Sequence, residues 1–505
     1  MLSCKAPKTA GTTTIVDDGM ITFNFIQLND VYEIAPLENG KVGGMARVAT
    51  LRKQLKNDNP NTLTVLAGDF LSPSLIGTIK QNGKRIKGAQ MIEVMNAVGI
   101  DLVTFGNHEF DLKEKELQER LNESNSVWLG TSVRRIQTKN GMNSQFYHET
   151  DSGKVYTPDT WIWDIKDEDG TNISIGFFGA TLPMNPQPYV EYLDFTTTTL
   201  EAAQQLATQT DVVIGLTHLN LEDDLQLAAK LSNVPLLMGG HEHHHIKEKV
   251  GNTLVTKADA NAKTAYVHTV TYNKKTRKTK ILSKLISIDD TMHSDEEVKT
   301  LVDKWKRIMD DNLTKVVDEP YREIYRTDVP LEARESVIRH EQTNLGRIIN
   351  EAIQAVAKQP VDFSFFNSGS IRVDDQLEGV LTAVDVFRTL PFGGAVVEID
   401  IKGDLLLKVL EESKARIGQG AYLQLNKVWY SDKAKGWVVR GEKIDPDKTY
   451  HAITSDYLML GIDLKTLKAD DPGIIKVDRP DPSDKEDLRN NINLAVIQYL
   501  KSLAK

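Results

Sequence analysis

The segment Phe23–Ile34, FNFIQLNDVYEI, decides how the first half of the chain folds. Its apolar residues recur as in a buried strand, then stop abruptly at Asn29-Asp30. The same design recurs in TLTVLAGD (62–69), DLVTFGNHE (101–109), ISIGFFGAT (173–181), DVVIGLTHL (211–219) and VPLLMGGHE (234–242). Helix-like stretches such as GGMARVATLRKQLKN and KGAQMIEVMNAVG lie between them, and this alternation predicts an α/β layered domain. Five of the strands end in residues able to bind a metal: Asp30, Asp69, Asn107-His108, His218 and His241. Carboxyl ends of strands in open α/β sheets converge on one rim, where ligands bind, so these polar ends predict a built site.

With 505 residues the chain is long enough for two or three domains. Its net charge of −10 argues against nucleic acid polymers, whose phosphates need a basic face. Small anionic substrates remain compatible, because bound cations reverse a local field. No apolar run reaches the ~18 residues of a membrane helix. The start, MLSCKAPKTAGTTT, lacks a basic region followed by an apolar one, so no signal peptide is expected in this chain. The one cysteine, Cys4, excludes an intrachain disulfide. Leu2-Ser3-Cys4 resembles the end of a bacterial lipoprotein signal. Membrane attachment through a lipidated Cys4 therefore competes with an incidental exposed cysteine.

Residues 265–288 read as a hairpin whose basic turn, 274–280, is a solvated loop. Residues 294–316 read as an amphipathic helix with Ser294 as N-cap and Glu297 three residues on. The expected division is a flexible tail at 1–20, a first domain at 21–293, a linker helix at 294–325 and a second α/β domain at 326–505.

The donor types suit a two-metal centre. Carboxylate and imidazole fit zinc, manganese or iron, and two such ions sharing a carboxylate activate water and bind a phosphoryl group. Asp30, Asp69, Asn107, His218, His241 and His243 are the candidate ligands, with His108 adjacent. Glycines before Asp69, Asn107 and His241 are expected to permit tight turns.

The blocks ND, GD, GNHEFD, TH and GHEH, in this order, resemble the calcineurin-like metallophosphoesterases, and within them the bacterial 5′-nucleotidase and UDP-sugar hydrolase family. TNLGRIINEA (343–352), FFNSGSIR (365–372), LPFGGAVVEIDIKGDLLLKVLE (390–411), GAYLQL (420–425) and SDYLMLGID (455–463) extend the resemblance over nearly the whole chain. It implies a four-layer α/β/β/α sandwich followed by an α/β substrate-binding domain, with domain rotation between them. It implies one ion on Asp30, Asp69 and His243, and a second on Asp69, Asn107, His218 and His241. His108 and Asp111 match the catalytic pair, Asp111 orienting a protonated His108. Arg339, Arg347 and Arg372 fall where the family faces phosphate or substrate; Phe392 and Tyr457 match its base-stacking aromatics, and Asp463 an acid facing sugar or base.

Three positions depart from the family pattern. The first block normally reads Asp-x-His, but here it reads Asp30-Val31-Tyr32. Tyr32 could ligate as a phenolate, or stand aside with water, Glu33 or His244 filling in, or leave a single-metal, inactive site. Gly394 replaces an asparagine common in the family, and Glu335 stands where some members carry another arginine. The resemblance implies removal of phosphate from nucleoside 5′-phosphates by a two-metal-activated water, with UDP-sugars or other nucleotide anhydrides as further substrates. The alternatives are a nucleotide-binding or sensing protein with a degraded metal site, and a hydrolase of 2′,3′-cyclic nucleotides. A monomeric, exported protein of the bacterial cell envelope or periplasm is expected.

Overall fold

The computed structural model describes residues 17–38, 40–136, 143–373 and 375–504. Cys4 and its flanking tail lie outside the described residues. The chain divides into two units: one runs through Ser72 and resumes over Lys87–Lys306, the other comprises Pro73–Ile86 and Arg307–Lys505.

Two six-stranded sheets make up the first unit. In one, Met20–Leu28, Thr62–Ala67, Leu102–Thr104 and Val127–Leu129 run parallel. The hairpin Thr264–Asn273/Lys278–Ser287 adds antiparallel strands beside Met20–Leu28. In the other, Asn172–Thr181, Val212–His218, Leu236–Gly240 and Thr253–Lys257 run parallel, with Thr160–Lys166 and Ile246–Val250 antiparallel at the edges.

Period two decides the layering. Phe23, Phe25, Leu63 and Val65 of the first sheet share one core with Ile175, Phe177, Ile214, Leu216 and Met238 of the second. The intervening residues Phe178, Val213 and Leu237 face the other way and pack with Ala202 and Leu206 of the helix Phe195–Ala207 and Leu227 of the helix Leu221–Lys230. Helices Met45–Asp58 and Ala89–Val98 accompany the first sheet. The result is the helix–sheet–sheet–helix order that the resemblance implies.

Gln27, a buried amide inside the opening strand, joins the two sheets. Its Nε2 donates to the carbonyls of Gly239 (3.1 Å) and Thr256 (2.7 Å), and its Oε1 accepts from Thr256 Oγ1 at 2.7 Å. A buried amide so satisfied costs little and fixes sheet register at the rim.

In the second unit the strand order is Leu423–Asn426, Phe363–Asn367, Thr449–Ser455, Val396–Lys402, Ile474–Asp478. Helix Asn344–Ala355 starts at Thr343, whose hydroxyl accepts from Gly346 N–H at 3.1 Å. The helix expected at 294–316 spans Glu296–Leu313, and its cap is Asp295, not Ser294: Asp295 Oδ1 accepts from Val298 N–H at 3.2 Å. Two adjacent residues could each cap, and the carboxylate takes the position.

The rim glycines have different reasons. Gly68 has φ +76° and serves a turn. At Gly106 and Gly240 the need is space, since an added Cβ would lie 2.1 Å from Asp69 Oδ1 and 2.2 Å from Ala67 O. We therefore expect Gly240→Ala to cost about 1–3 kcal/mol, as overpacking against backbone does. The midpoint of urea unfolding measures it; an unchanged midpoint would mean that the rim has slack.

Candidate metal centre and nucleotide-facing residues

The polar strand ends meet at the carboxyl edge of the two parallel sheets. Asp69, His218 and His241 place ligand atoms within 4.8 Å of one another. Asp30, Asp69 and His241 all sit at positive φ, +53°, +56° and +85°. Aspartate tolerates this region; for histidine it is uncommon, and such strain concentrates at functional sites.

Each ligand candidate has one atom anchored and another left facing the pocket. Asp69 Oδ1 accepts from His108 N–H at 2.8 Å. Its Oδ2 lies 3.1 Å from His218 Nε2 and 3.2 Å from Tyr32 Oη. Asp30 Oδ2 accepts from His241 N–H at 2.9 Å and Asn29 Nδ2 at 2.8 Å, while Oδ1 lies 3.5 Å from His243 Nε2. His218 Nδ1 is 2.8 Å from the Ala67 carbonyl, to which it donates. That commits Nδ1 as a donor, so Nε2, which faces Asp69 Oδ2 and, at 3.2 Å, Asn107 Oδ1, holds either a proton or a cation toward them. Three electron-rich atoms facing one another repel unless a proton or a cation lies between them. Asn107 turns its Oδ1 toward this spot, while its buried Nδ2 has no hydrogen-bond partner among the described residues. The donor set thus fits a divalent cation at Asp69, Asn107, His218 and His241.

Charge states follow the same geometry. Burial pushes the His218 imidazolium down, but the carboxylates of Asp69 and Asp30 more than reverse it, to about 9. Burial and repulsion from His218 push His241 down to about 4, so it is neutral and ready to ligate. Burial disfavours the charged Asp69, yet His218 and His108 hold its carboxyl below the ordinary range; for Asp30 the same burial is overcome by His218 and His243.

His108 Nδ1 lies 2.8 Å from Asp111 Oδ2, as the resemblance implies. Ser72 Oγ donates to the same oxygen at 3.0 Å, and Asn185 Nδ2 donates to Asp111 Oδ1 at 3.1 Å and to the Asn107 carbonyl at 3.2 Å. The sequence reading missed Asn185, which lies in a stretch without periodicity. It also missed Glu109, whose carboxylate accepts four backbone N–H groups, from Asp69, Phe70, Leu71 and Gly106, at 2.7–3.1 Å. Glu109 ties the Asp69 turn to the Asn107–His108 turn. Burial and Asp69 push its carboxyl up to about 7 against those amides.

A third missed residue is Lys257, the fully buried end of a strand. Its ammonium donates to the carbonyls of Leu219 (2.7 Å) and Gly240 (2.8 Å), residues adjacent to His218 and His241, and pairs with Asp224 (2.8 Å) and Glu242. The signal was visible as a lysine closing the apolar run TLVTK.

In the second unit, Arg339 and Arg372 come together on one carboxylate. Glu335 Oε1 lies 2.5 Å from Arg339 Nη2 and 3.3 Å from Arg372 Nη1. Arg347 is exposed on its helix, where its backbone N–H donates to the Thr343 carbonyl at 3.1 Å. Phe392 is 52% exposed and Tyr457 36%, so both offer ring area to a ligand. Asp463 is engaged at both oxygens, by Tyr457 Oη at 2.8 Å and Asn367 Nδ2 at 2.9 Å. It thereby holds the ring of Tyr457. Gly394 has φ +103°, a conformation that strains an asparagine there.

A metal pocket at the rim of a two-sheet sandwich, beside a histidine–aspartate pair, defines a hydrolase class, and similarity to known proteins specifies it. Residues 23–245 match the family model described as calcineurin-like phosphoesterase, and residues 323–469 match that of the 5′-nucleotidase C-terminal domain. Rat 5′-nucleotidase is 25% identical over 84% of this chain and 78% of its own length. The trifunctional nucleotide phosphoesterase protein YfkN of Bacillus subtilis is 24% identical over 88% of this chain, which spans 32% of that longer protein. The crystal structure of a 5′-nucleotidase precursor from Thermus thermophilus, 21% identical, superposes with a TM-score of 0.69 over 96% of this chain and 97% of its own, a likeness of fold. The chain belongs to the calcineurin-like phosphoesterases with a 5′-nucleotidase C-terminal domain, and is a phosphoester hydrolase. That family implies divalent metals, which the donor set accommodates.

Two outcomes follow. Loading the His218 position displaces its proton at any pH below about 9, so metal affinity should tighten about tenfold per pH unit between neutrality and that value. Competition titrations with a chromophoric chelator check this; a flat profile would mean that His218 is neutral without metal. Lys257→Met leaves Asp224 and Glu242 uncompensated and should cost about 3–5 kcal/mol in chemical denaturation.

Proposed function

We propose that the protein hydrolyses nucleoside 5′-phosphates with two divalent ions. The observation that carries this reading is Asp69 Oδ2, which faces His218 on one side and the Asp30–His243 pair on the other through Tyr32. Asp30, Asp69 and His243 would hold one ion; Asp69, Asn107, His218 and His241 the other. Bound there, the ions supply Lewis acidity to the phosphoryl oxygens and activate water for in-line displacement.

The chain's own groups do the rest. His108, oriented and kept cationic by Asp111, stabilises charge on the phosphoryl group or leaving oxygen. Phe392 and Tyr457 stack the base, Asp463 setting the angle of Tyr457. Arg339 and Arg372 face anionic or hydroxyl groups of the substrate. The base-facing amide missing at Gly394 favours broad base tolerance. Support for a nucleotide comes from the C-terminal domain match and from the names of the rat and Bacillus relatives. Exported location with Cys4 as a lipid anchor completes the reading; no helix among the described residues is long and apolar enough to cross a membrane.

Phosphate release from a panel of nucleoside monophosphates, UDP-sugars and 2′,3′-cyclic nucleotides tests the proposal, with elemental analysis of the purified protein alongside. Chelator and Asp69→Asn should each abolish release. Binding without any turnover, whatever the ion supplied, would establish the sensing alternative. His108→Ala should lower kcat by about 10²–10⁴-fold with metal content unchanged; loss of metal would refute its role. Phe392→Ala should raise KM for nucleotides and spare a small aryl phosphate, whereas equal damage to both would exclude stacking.

A further inference from the structure

The loop LPMNPQPY (182–189) lies against the short turn His108–Asp111. It carries three prolines, each with φ fixed by its ring, so the loop is stiff before it packs. It is also tied down along its length. Leu182 N–H donates to the His218 carbonyl at 2.8 Å, the Tyr192 hydroxyl donates to the Met184 carbonyl, and the Tyr189 hydroxyl donates to the Leu112 carbonyl at 2.6 Å. Between these ties Asn185 takes φ +55°, a conformation that asparagine tolerates better than most residues.

The Asn185 carboxamide meets every part of the turn that bears on His108. Its Nδ2 lies 3.1 Å from Asp111 Oδ1, 3.2 Å from the Asn107 carbonyl and 3.3 Å from His108 Nδ1. The carboxylate and the carbonyl can only accept, so the NH2 end, with its two protons, must face them. His108 and Ser72 meet Asp111 at Oδ2, at 2.8 and 3.0 Å, and Asn185 meets it at Oδ1. Held at both oxygens, the carboxylate cannot rotate away from the imidazole.

We propose that Asn185 is the positioning residue of the His108–Asp111 pair: it clamps the Asp111 carboxylate to the backbone of Asn107 and so fixes where His108 meets the phosphoryl group. This rests on the role given to His108 above. A misplacement on the order of 1 Å at such a group costs about 10²-fold in rate. The stacking rings Phe392 and Tyr457 belong to the second unit, so grip on the base is not involved.

The test is a double-mutant cycle on full-length, metal-loaded protein, reading phosphate release from adenosine 5′-monophosphate and from a small aryl phosphate. Asn185→Ala should lower kcat about 10–100-fold, as loss of an orienting partner does, with KM and metal content unchanged. Introduced into His108→Ala, the same substitution should lower kcat no further, because the group it positions is gone. Asn185→Gly accepts the left-handed backbone but lacks the carboxamide, so it should match Asn185→Ala and keeps the test valid if alanine strains the loop. An equal loss in both backgrounds, full kcat in Asn185→Gly, or release of metal overturns the proposal and leaves the hydrolase reading standing. Turnover of the aryl phosphate alone refutes the nucleotide reading, and the cycle on that ester still decides the role of Asn185. Wild-type turnover in His108→Ala, or none by the wild type on either ester, overturns both readings together.

Discussion

Everything at the rim depends on the orientation of one carboxylate. Asp69 follows Gly68 in a left-handed backbone conformation, gives one oxygen to the backbone of His108 and turns the other between two halves of the pocket. Without that split, His218 and Tyr32 would face separate sites. Glu109 prevents rotation by gripping the Asp69 turn through three consecutive amides and the neighbouring turn through Gly106. A buried anion that accepts four N–H groups is costly to form and correspondingly hard to displace.

The sandwich supplies the stiffness that this arrangement needs. Parallel strands buried on both faces cannot slip by one residue without exchanging the side chains that fill the inter-sheet core for those that pack against the helices. Gln27 and Lys257 fasten the two sheets' carboxyl ends from behind, the first by amide bonds to Gly239 and Thr256, the second by an ammonium within reach of Leu219 and Gly240. Neither side chain touches a candidate ligand directly. Both hold the backbone from which the ligands project.

The strand-end carboxylates and histidines were legible in the sequence because period-two runs end where a sheet meets solvent, and polar residues recur there. The layer order was also legible, through the resemblance. Residues that support the ligands were not, for physical reasons. Asn185 acts across 74 positions of chain to reach Asp111, and no local pattern encodes such a contact. Asp295 displaced Ser294 as the helix cap because both chemistries suit the position, and only the backbone path chooses. Glycines 106 and 240 were read as turn formers, yet they answer to crowding by Asp69 and Ala67. Tyr32 was flagged by its departure from a motif, but its reach to three donor atoms needed coordinates.

One carboxylate in the second unit changes how that unit meets a charged guest. Glu335 already occupies Arg339 and Arg372, so together the three carry a single positive charge instead of two. On the reading proposed above, an arriving phosphate or carboxylate would not fall onto bare guanidinium groups; it would trade places with an anion that the protein carries with it. Capture by exchange releases few counterions, and so the grip on substrate should vary little between dilute and concentrated salt.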